Sequence, residues 1–168
     1  MLNLRTDQMP VFGAHLARFA AMSKVKRPLW RCAGDLHEPM GGRCGWTDGG
    51  CAILAYALHE WLPCVSLATL ADRTESGDFE RHVIGVVKDL RGVEWALDGN
   101  GASPLGPDYM KSYPYDCYLS EGGPTDPGIF VDMQTSKTIA WMLREKFYDV
   151  RCCSNRIGCA APRRYRHR

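Results

Sequence analysis

The stretch Gly49-Gly50-Cys51-Ala52-Ile53-Leu54-Ala55-Tyr56-Ala57-Leu58-His59-Glu60-Trp61-Leu62-Pro63 decides how the chain is read. Its alanines and leucines favour a helix, apolar residues lie on nearly every side of that helix, and Pro63 stops it. A helix of this kind is buried rather than half exposed. Upstream, Gly34, Pro39, Gly41, Gly42, Gly45, Gly49 and Gly50 break residues 31 to 50 too often for a regular element. The buried helix is therefore reached from a long glycine-rich loop.

Working outward, Phe12, Leu16, Phe19 and Ala20 recur at helical spacing and predict an amphipathic helix from about Val11 to Met22, weakened by Gly13. Beyond Pro63, three runs predict strands at about Cys64 to Ala71, Arg81 to Lys88 and Val93 to Asp98. The last two flank Asp89-Leu90-Arg91-Gly92, whose acidic residue and glycine suit a tight reversal, so they are expected to form an antiparallel hairpin. Residues 99 to 128 are dense in Gly, Pro and Asp and read as another long loop. Near the end, Thr135 or Ser136 is expected to cap a helix to about Tyr148, with Ile139, Met142, Leu143 and Phe147 as its apolar stripe. Helix, loop, buried helix, antiparallel strands, loop, helix is an α+β layout.

The chain has 168 residues, 45% apolar and 24% charged, with 21 basic against 19 acidic side chains. At this size roughly two thirds of the unfolded surface can be buried, so neither metal nor disulfide is required for stability. A single domain over residues 1 to 162 is expected, followed by the basic tail Arg163-Arg164-Tyr165-Arg166-His167-Arg168. A net charge of +2 disfavours a general nucleic-acid binder, since such proteins carry a large positive excess. No apolar run approaches the ~20 residues that span a bilayer, and the N-terminus lacks a secretory layout. The expectation is a cytoplasmic protein with no membrane contact. Its eight cysteines, irregularly spaced, are read mostly as free thiols, with Cys152, Cys153 and Cys159 able to pair or hold metal.

A thiol attacks well only as a thiolate, and a helix N-terminus favours that anion through unpaired N–H groups and its dipole. Cys51 stands at such a position. Gly49 and Gly50 leave room for an approaching acyl group, and the Cys51 backbone N–H can join an oxyanion hole. With the hairpin reversal centred near residues 90 and 91, cross-strand numbers sum to about 180 or 181, which sets His82 opposite Asp98 or Gly99. A carboxylate there can hold the imidazole through one nitrogen while the other faces a thiol. Taken singly, a cysteine heading a buried helix is ordinary core, and a His and Asp at strand ends are ordinary surface.

Together these pieces resemble the papain-like superfamily, particularly its transglutaminase-like and papain-fold toxin branches. The likeness spans about residues 41 to 101 and rests on Gly49-Gly50-Cys51 through Leu58, Trp61-Leu62, Arg81-His82-Val83 and Trp95-Ala-Leu-Asp98-Gly99-Asn-Gly101. It implies a buried helix headed by the cysteine, packed on a small antiparallel sheet. It also implies Cys51 as nucleophile, His82 as base and Asp98 as orienting acid of a cysteine hydrolase (thiol protease, amidase or deamidase). The substrate class is a peptide, isopeptide or glutamine side-chain amide, with no cofactor and no metal. Small size is compatible with a toxin or phage effector. Gly42-Arg-Cys-Gly-Trp46 is similar to the segment before the nucleophile in peptide N-glycanase relatives.

The pattern departs from the family in two places. Ala52 stands where many transglutaminase-like enzymes carry an aromatic residue, and no Gln lies between Gln8 and Gln134 to serve as papain's oxyanion donor. The second donor stays open among the Trp46 indole, Thr47 and a loop N–H. Asp48 is expected to cap the helix or lie against His82. With Gly49 and Gly50, these residues make the candidate substrate cleft, to which Tyr109, Tyr113, Tyr115 and Tyr118 are possible additions. Tryptophans 30, 46, 61, 95 and 141 are otherwise assigned to the core. His15 and His59 read as surface or satisfied histidines.

Two other classes compete with a hydrolase. One is a non-enzymatic interaction module on the same scaffold, with Cys51 sealed beneath the loops. The other is a zinc-stabilised binding protein using Cys32, His37, Cys44 and the C-terminal thiols, although that spacing matches no common zinc pattern. Oligomeric state is not legible.

Overall fold

The computed structural model describes residues 1–22, 25, 46, 50–74, 77–113, 117–125 and 131–153, with backbone alone at 73, 74, 77 and 78. Cys32, His37, Cys44, Trp30, Tyr115, Cys159 and the basic tail lie outside the described residues.

The buried helix forms as its composition requires. α2 (Cys51–Trp61) hides every residue but Tyr56, His59 and Glu60, Tyr56 being half-buried. Such a helix needs cover on all sides, and three partners supply it. α1 (Met9–Ala21) brings Phe12, Leu16 and Phe19 into the same core, and α4 (Met133–Lys146) brings Ile139, Ala140 and Leu143. The third partner is the sheet. Phe147 sits among Phe12, Phe19 and Trp61, with ring centroids 5.6, 5.8 and 5.6 Å away, and closes the far end of α2 from Cys51.

The sheet is antiparallel, with strand order β4-β3-β2-β1-β5. Its strands are β1 (Ser66–Thr74), β2 (Gly77–Lys88), β3 (Glu94–Asp98), β4 (Gly101–Pro104) and β5 (Cys117–Glu121). One face, with Val87, Trp95 and Leu97, receives the three longer helices. The other carries Ala68, Leu70, Ile84 and Ala96 and is covered by α3 (Pro107–Lys111) and its flanks, through Leu105, Tyr109, Met110 and Tyr113. The architecture is α+β, as the order of elements implied.

Several expectations need correction. The supposed loop over residues 99 to 128 contains β4, α3 and β5. Two of these strands are short, and a five-residue helix has no room for a periodic signal. The last helix is capped earlier than expected, by Asp132, whose carboxylate accepts the N–H groups of Gln134 (2.9 Å) and Thr135 (3.2 Å). Ser136 instead lies inside, its hydroxyl donating to the Ile53 carbonyl of α2 at 3.1 Å. Trp141 is not core; it faces solvent on α4 with 60% of its surface exposed. Nor is Cys64 a free thiol, because it is bonded to Cys152. That bond takes Cys152 away from the expected pairing with its C-terminal neighbours and removes both sulfurs from any zinc set while it stands. Cys51, Cys117 and Cys153 take no part in this bond.

The hairpin register also differs. Gly85 faces Leu97 and Lys88 faces Glu94, so paired numbers sum to 182. The turn is wider than assumed because the buried Asp89 carboxylate organises it, accepting N–H groups from Arg91 (2.8 Å), Val93 (3.1 Å) and the Trp95 indole (3.1 Å). Gly92, at φ +83°, completes the reversal. Relative to a direct His82–Asp98 pairing the shift is an even step of two, so these residues keep a common face as diagonal neighbours, whereas His82 opposite Gly99 does not occur.

Gly13 finds its reason here. A Cβ on it would lie 2.5 Å from the Ala102 nitrogen, and one on Gly101 (φ +119°) would lie 2.5 Å from the Gly13 carbonyl oxygen. α1 and β4 approach to backbone contact only because both positions lack side chains. Gly13→Ala, though it adds a better helix former, is expected to lower stability by about 1–3 kcal/mol in urea denaturation. The Cys64–Cys152 bond closes a loop across 88 positions of sequence. Cys152→Ser should remove roughly 2–4 kcal/mol in the same assay, and full stability in the serine variant would show that the bond contributes nothing.

Candidate active site

α2 opens directly on the cysteine. Gly50 occupies the N-cap position without a side chain to fill it, and the first helical bond runs from Leu54 N–H to the Gly50 carbonyl at 3.1 Å. The amides of Cys51, Ala52 and Ile53 therefore precede the helical ladder and concentrate positive potential around Cys51 Sγ. Cys51 is 6% exposed and packs with Ala52, Ala55 and Val83, Val131 lying alongside.

His82 directly follows an irregularity in β2. Leu70 pairs with His82 and Ala71 with Glu80, so Arg81 is an extra residue opposite the β1 step from Leu70 to Ala71. Such a bulge bends its strand and redirects the next side chain. Arg81 is held by a two-pronged bond to the buried Asp72, Nε to Oδ1 at 3.0 Å and Nη2 to Oδ2 at 2.7 Å. Past the bulge His82 stands opposite Leu70, 3% exposed, on the α3-covered face. Pairing between β2 and β3 ends at Gly85 and Leu97, so His82 and Val83, midway along β2, and Asp98, the last residue of β3, lie beyond that last pair. At this open corner the cysteine from the helical side reaches the imidazole.

Asp98 completes the line. Its Oδ2 lies 3.4 Å from His82 Nε2, which leaves Nδ1 for the thiol. Its Oδ1 accepts the Asn100 N–H at 2.7 Å, fixing the carboxylate at the β3–β4 turn. The Tyr109 hydroxyl donates to Oδ2 at 3.0 Å and sits 3.1 Å from the Tyr113 hydroxyl. The Tyr113 ring lies 5.6 Å from the His82 ring, tilted by 36°. The sequence offered these two tyrosines only as cleft aromatics. Their spacing of four after Pro107 was the available signal, and their bond to the carboxylate was invisible without the fold.

The groups shift one another's protonation. Burial pushes the Cys51 thiol up, but the hydrogen bond and charge of His82, with the N–H groups of Val83 and Ala52, outweigh it and hold the thiol below its ordinary value. Burial pushes His82 down, while Asp98 and Cys51 raise it to about 9. Asp98 is raised by burial and lowered further by His82, Asn100 and Tyr109, ending below the usual carboxylate range. The shifts run toward a thiolate facing an imidazolium backed by a carboxylate, the arrangement that activates a cysteine for attack on a carbonyl.

The structure brings Cys51, His82 and Asp98 together. Trp46 is buried, and its indole N–H donates to the Ala20 carbonyl at 2.7 Å, so it is already committed and does not serve as the second oxyanion donor. Gly50 is the N-cap, whereas Thr47, Asp48 and Gly49 lie outside the described residues. His59 is satisfied by the Val65 carbonyl at 2.6 Å and His15 is exposed, as expected.

Iodoacetamide at neutral pH is expected to label Cys51 at least about tenfold faster than Cys117 or Cys153, by mass spectrometry of digested protein. His82→Ala leaves burial opposed only by the Val83 and Ala52 N–H groups and should slow that labelling about tenfold or more. Equal rates at the three thiols would refute an activated Cys51. No family model matches the chain, and no curated protein or solved structure matches it either; the reading of the site rests on its geometry.

Proposed function

We propose that the protein is a papain-like cysteine hydrolase acting on an amide, peptide or isopeptide bond. The observation that carries this reading is the line from Cys51, the first residue of α2, through His82 to Asp98, buried and joined by hydrogen bonds. Cys51 Sγ attacks the carbonyl carbon, and the oxyanion that forms is met by the Cys51 backbone N–H at the start of α2. The His82 imidazolium gives its proton to the leaving amine as the carbon–nitrogen bond breaks, producing a thioester on Cys51. Neutral His82 then takes a proton from water as its oxygen attacks the thioester carbon; collapse of that intermediate breaks the carbon–sulfur bond, frees the acid and leaves the Cys51 thiolate beside the His82 imidazolium. Asp98 fixes the ring and balances its charge throughout. The 3.4 Å spacing suits a resting site, since such bonds tighten when substrate is bound.

The competing reading is an interaction module without catalysis, and the low exposure of Cys51 is the observation on its side. Cytoplasmic residence fits the reduced form of the Cys64–Cys152 pair, and the bonded form fits oxidising surroundings.

An activated ester separates these readings. p-Nitrophenyl acetate should release a burst of nitrophenolate and leave an acetyl group on the Cys51 peptide; Cys51→Ala should abolish both. Activity rises with pH as Cys51 loses its proton, below the ordinary thiol value because the folded site favours the thiolate. It falls again as His82 loses its proton near 9, since the leaving group then lacks an acid. A burst that survives Cys51→Ala, or none from the native protein, would overturn the proposal.

A further inference from the structure

The polar groups around Asp98 are unevenly shared. Among the described residues, Oδ1 has one partner, the Asn100 N–H, whereas Oδ2 has two, His82 Nε2 at 3.4 Å and the Tyr109 hydroxyl at 3.0 Å. A charge-assisted N–H to carboxylate bond has a usual length of about 2.7–2.9 Å, so the histidine is the more distant of the two donors on this oxygen. Tyr109 cannot turn away freely. It lies in α3, which begins at Pro107, and its hydroxyl is also within 3.1 Å of the Tyr113 hydroxyl, whose ring covers His82. We propose that Tyr109 is a positioning residue of the triad, a hydroxyl donor that shares Asp98 Oδ2 with His82 and so sets how much of the carboxylate's charge the imidazole receives.

The inference rests on the hydrolase reading and adds a device to the same site. A hydroxyl bonded to a carboxylate disperses its negative charge and makes it a weaker partner for a neighbouring cation. A carboxylate with His82 as its only side-chain donor would hold the imidazolium more tightly and make it a poorer acid toward the leaving amine. Tyr109 limits that hold while keeping the carboxylate oriented. The groups facing His82 and Asp98 are Cys51 from α2, Tyr109 and Tyr113 from α3 and its end, and Cys117 from β5, whose charge reaches Tyr113. The Arg81–Asp72 pair is the adjacent ion pair on β2 and β1. Tyr109 donates to the same carboxylate oxygen that His82 uses.

The test is the proton NMR titration of the His82 ring in the full chain. In the native protein the midpoint should lie near 9. Tyr109→Phe, which keeps the ring and removes the donor, should raise it by about half a pH unit or more, and Tyr113→Phe should move it less. 3,5-Difluorotyrosine placed at position 109 strengthens the donor and should lower the midpoint, a change opposite in sign that does not depend on the phenylalanine variant folding. A merely structural Tyr109 would alter stability without these opposed shifts. Unchanged midpoints in both variants, with a high native value and fast Cys51 labelling, would overturn the role of Tyr109 and leave the triad standing. A native midpoint near 6.5 with a slow Cys51 would overturn the triad itself, and the role of Tyr109 with it.

Discussion

The seating of α2 constrains everything else. A helix whose first turn is Cys51, Ala52, Ile53 and Leu54 has no polar side to give to water at that end, so sheet and helices must close around it. The same burial that stabilises the helix would leave a lone Cys51 protonated and inert. Reactivity therefore requires that the cover over the sulfur include a cation. His82 is that cation, and it is itself buried, so it too needs a partner; Asp98 answers that need. Each charge is tolerable in the interior because of the next one, which explains why the line of groups ends in several donors, Asn100 and Tyr109 among them, instead of in another unpaired ion.

The backbone devices that make this line are small. One surplus residue at Arg81 precedes His82, which shares the α3-covered face with Ile84 by strand alternation, and the early end of β2–β3 pairing leaves a corner through which Cys51 reaches it. Asp72 anchors the surplus residue by binding its guanidinium at two points. The helix start, the bulge and the carboxylate at the next turn come from different parts of the chain, and α4 braces the first of them through the Ser136 bond to Ile53.

Much of this was legible in the residues. α2 declared itself by composition and by Pro63, and the hairpin by Asp89 and Gly92, so the three candidate groups could be named, although His82 lies midway along β2 and not at its start. The register was missed because Asp89 binds three N–H groups and widens the turn, and side-chain capping of that kind leaves no mark on hydrophobic alternation. The bulge was missed for a similar reason: Arg81-His82-Val83 reads as ordinary strand, and only pairing with Leu70 and Ala71 reveals the extra residue. β5 escaped because an edge strand of mixed exposure has no clean period. Cys64 and Cys152 are too far apart in sequence for spacing to connect them, and Trp141 shows that an aromatic residue in an amphipathic helix follows its position on the wheel rather than its type.

The bond between Cys64 and Cys152 has a topological meaning. It joins the residue just after α2 to the segment just after α4, with the whole sheet between them. The connection from β5 to α4 is consequently not the sole covalent route between the two helices that pack together at the site. A chain severed there by a protease would remain one molecule, with α4 still tethered within reach of α2, and would come apart only once a reductant opened the bridge.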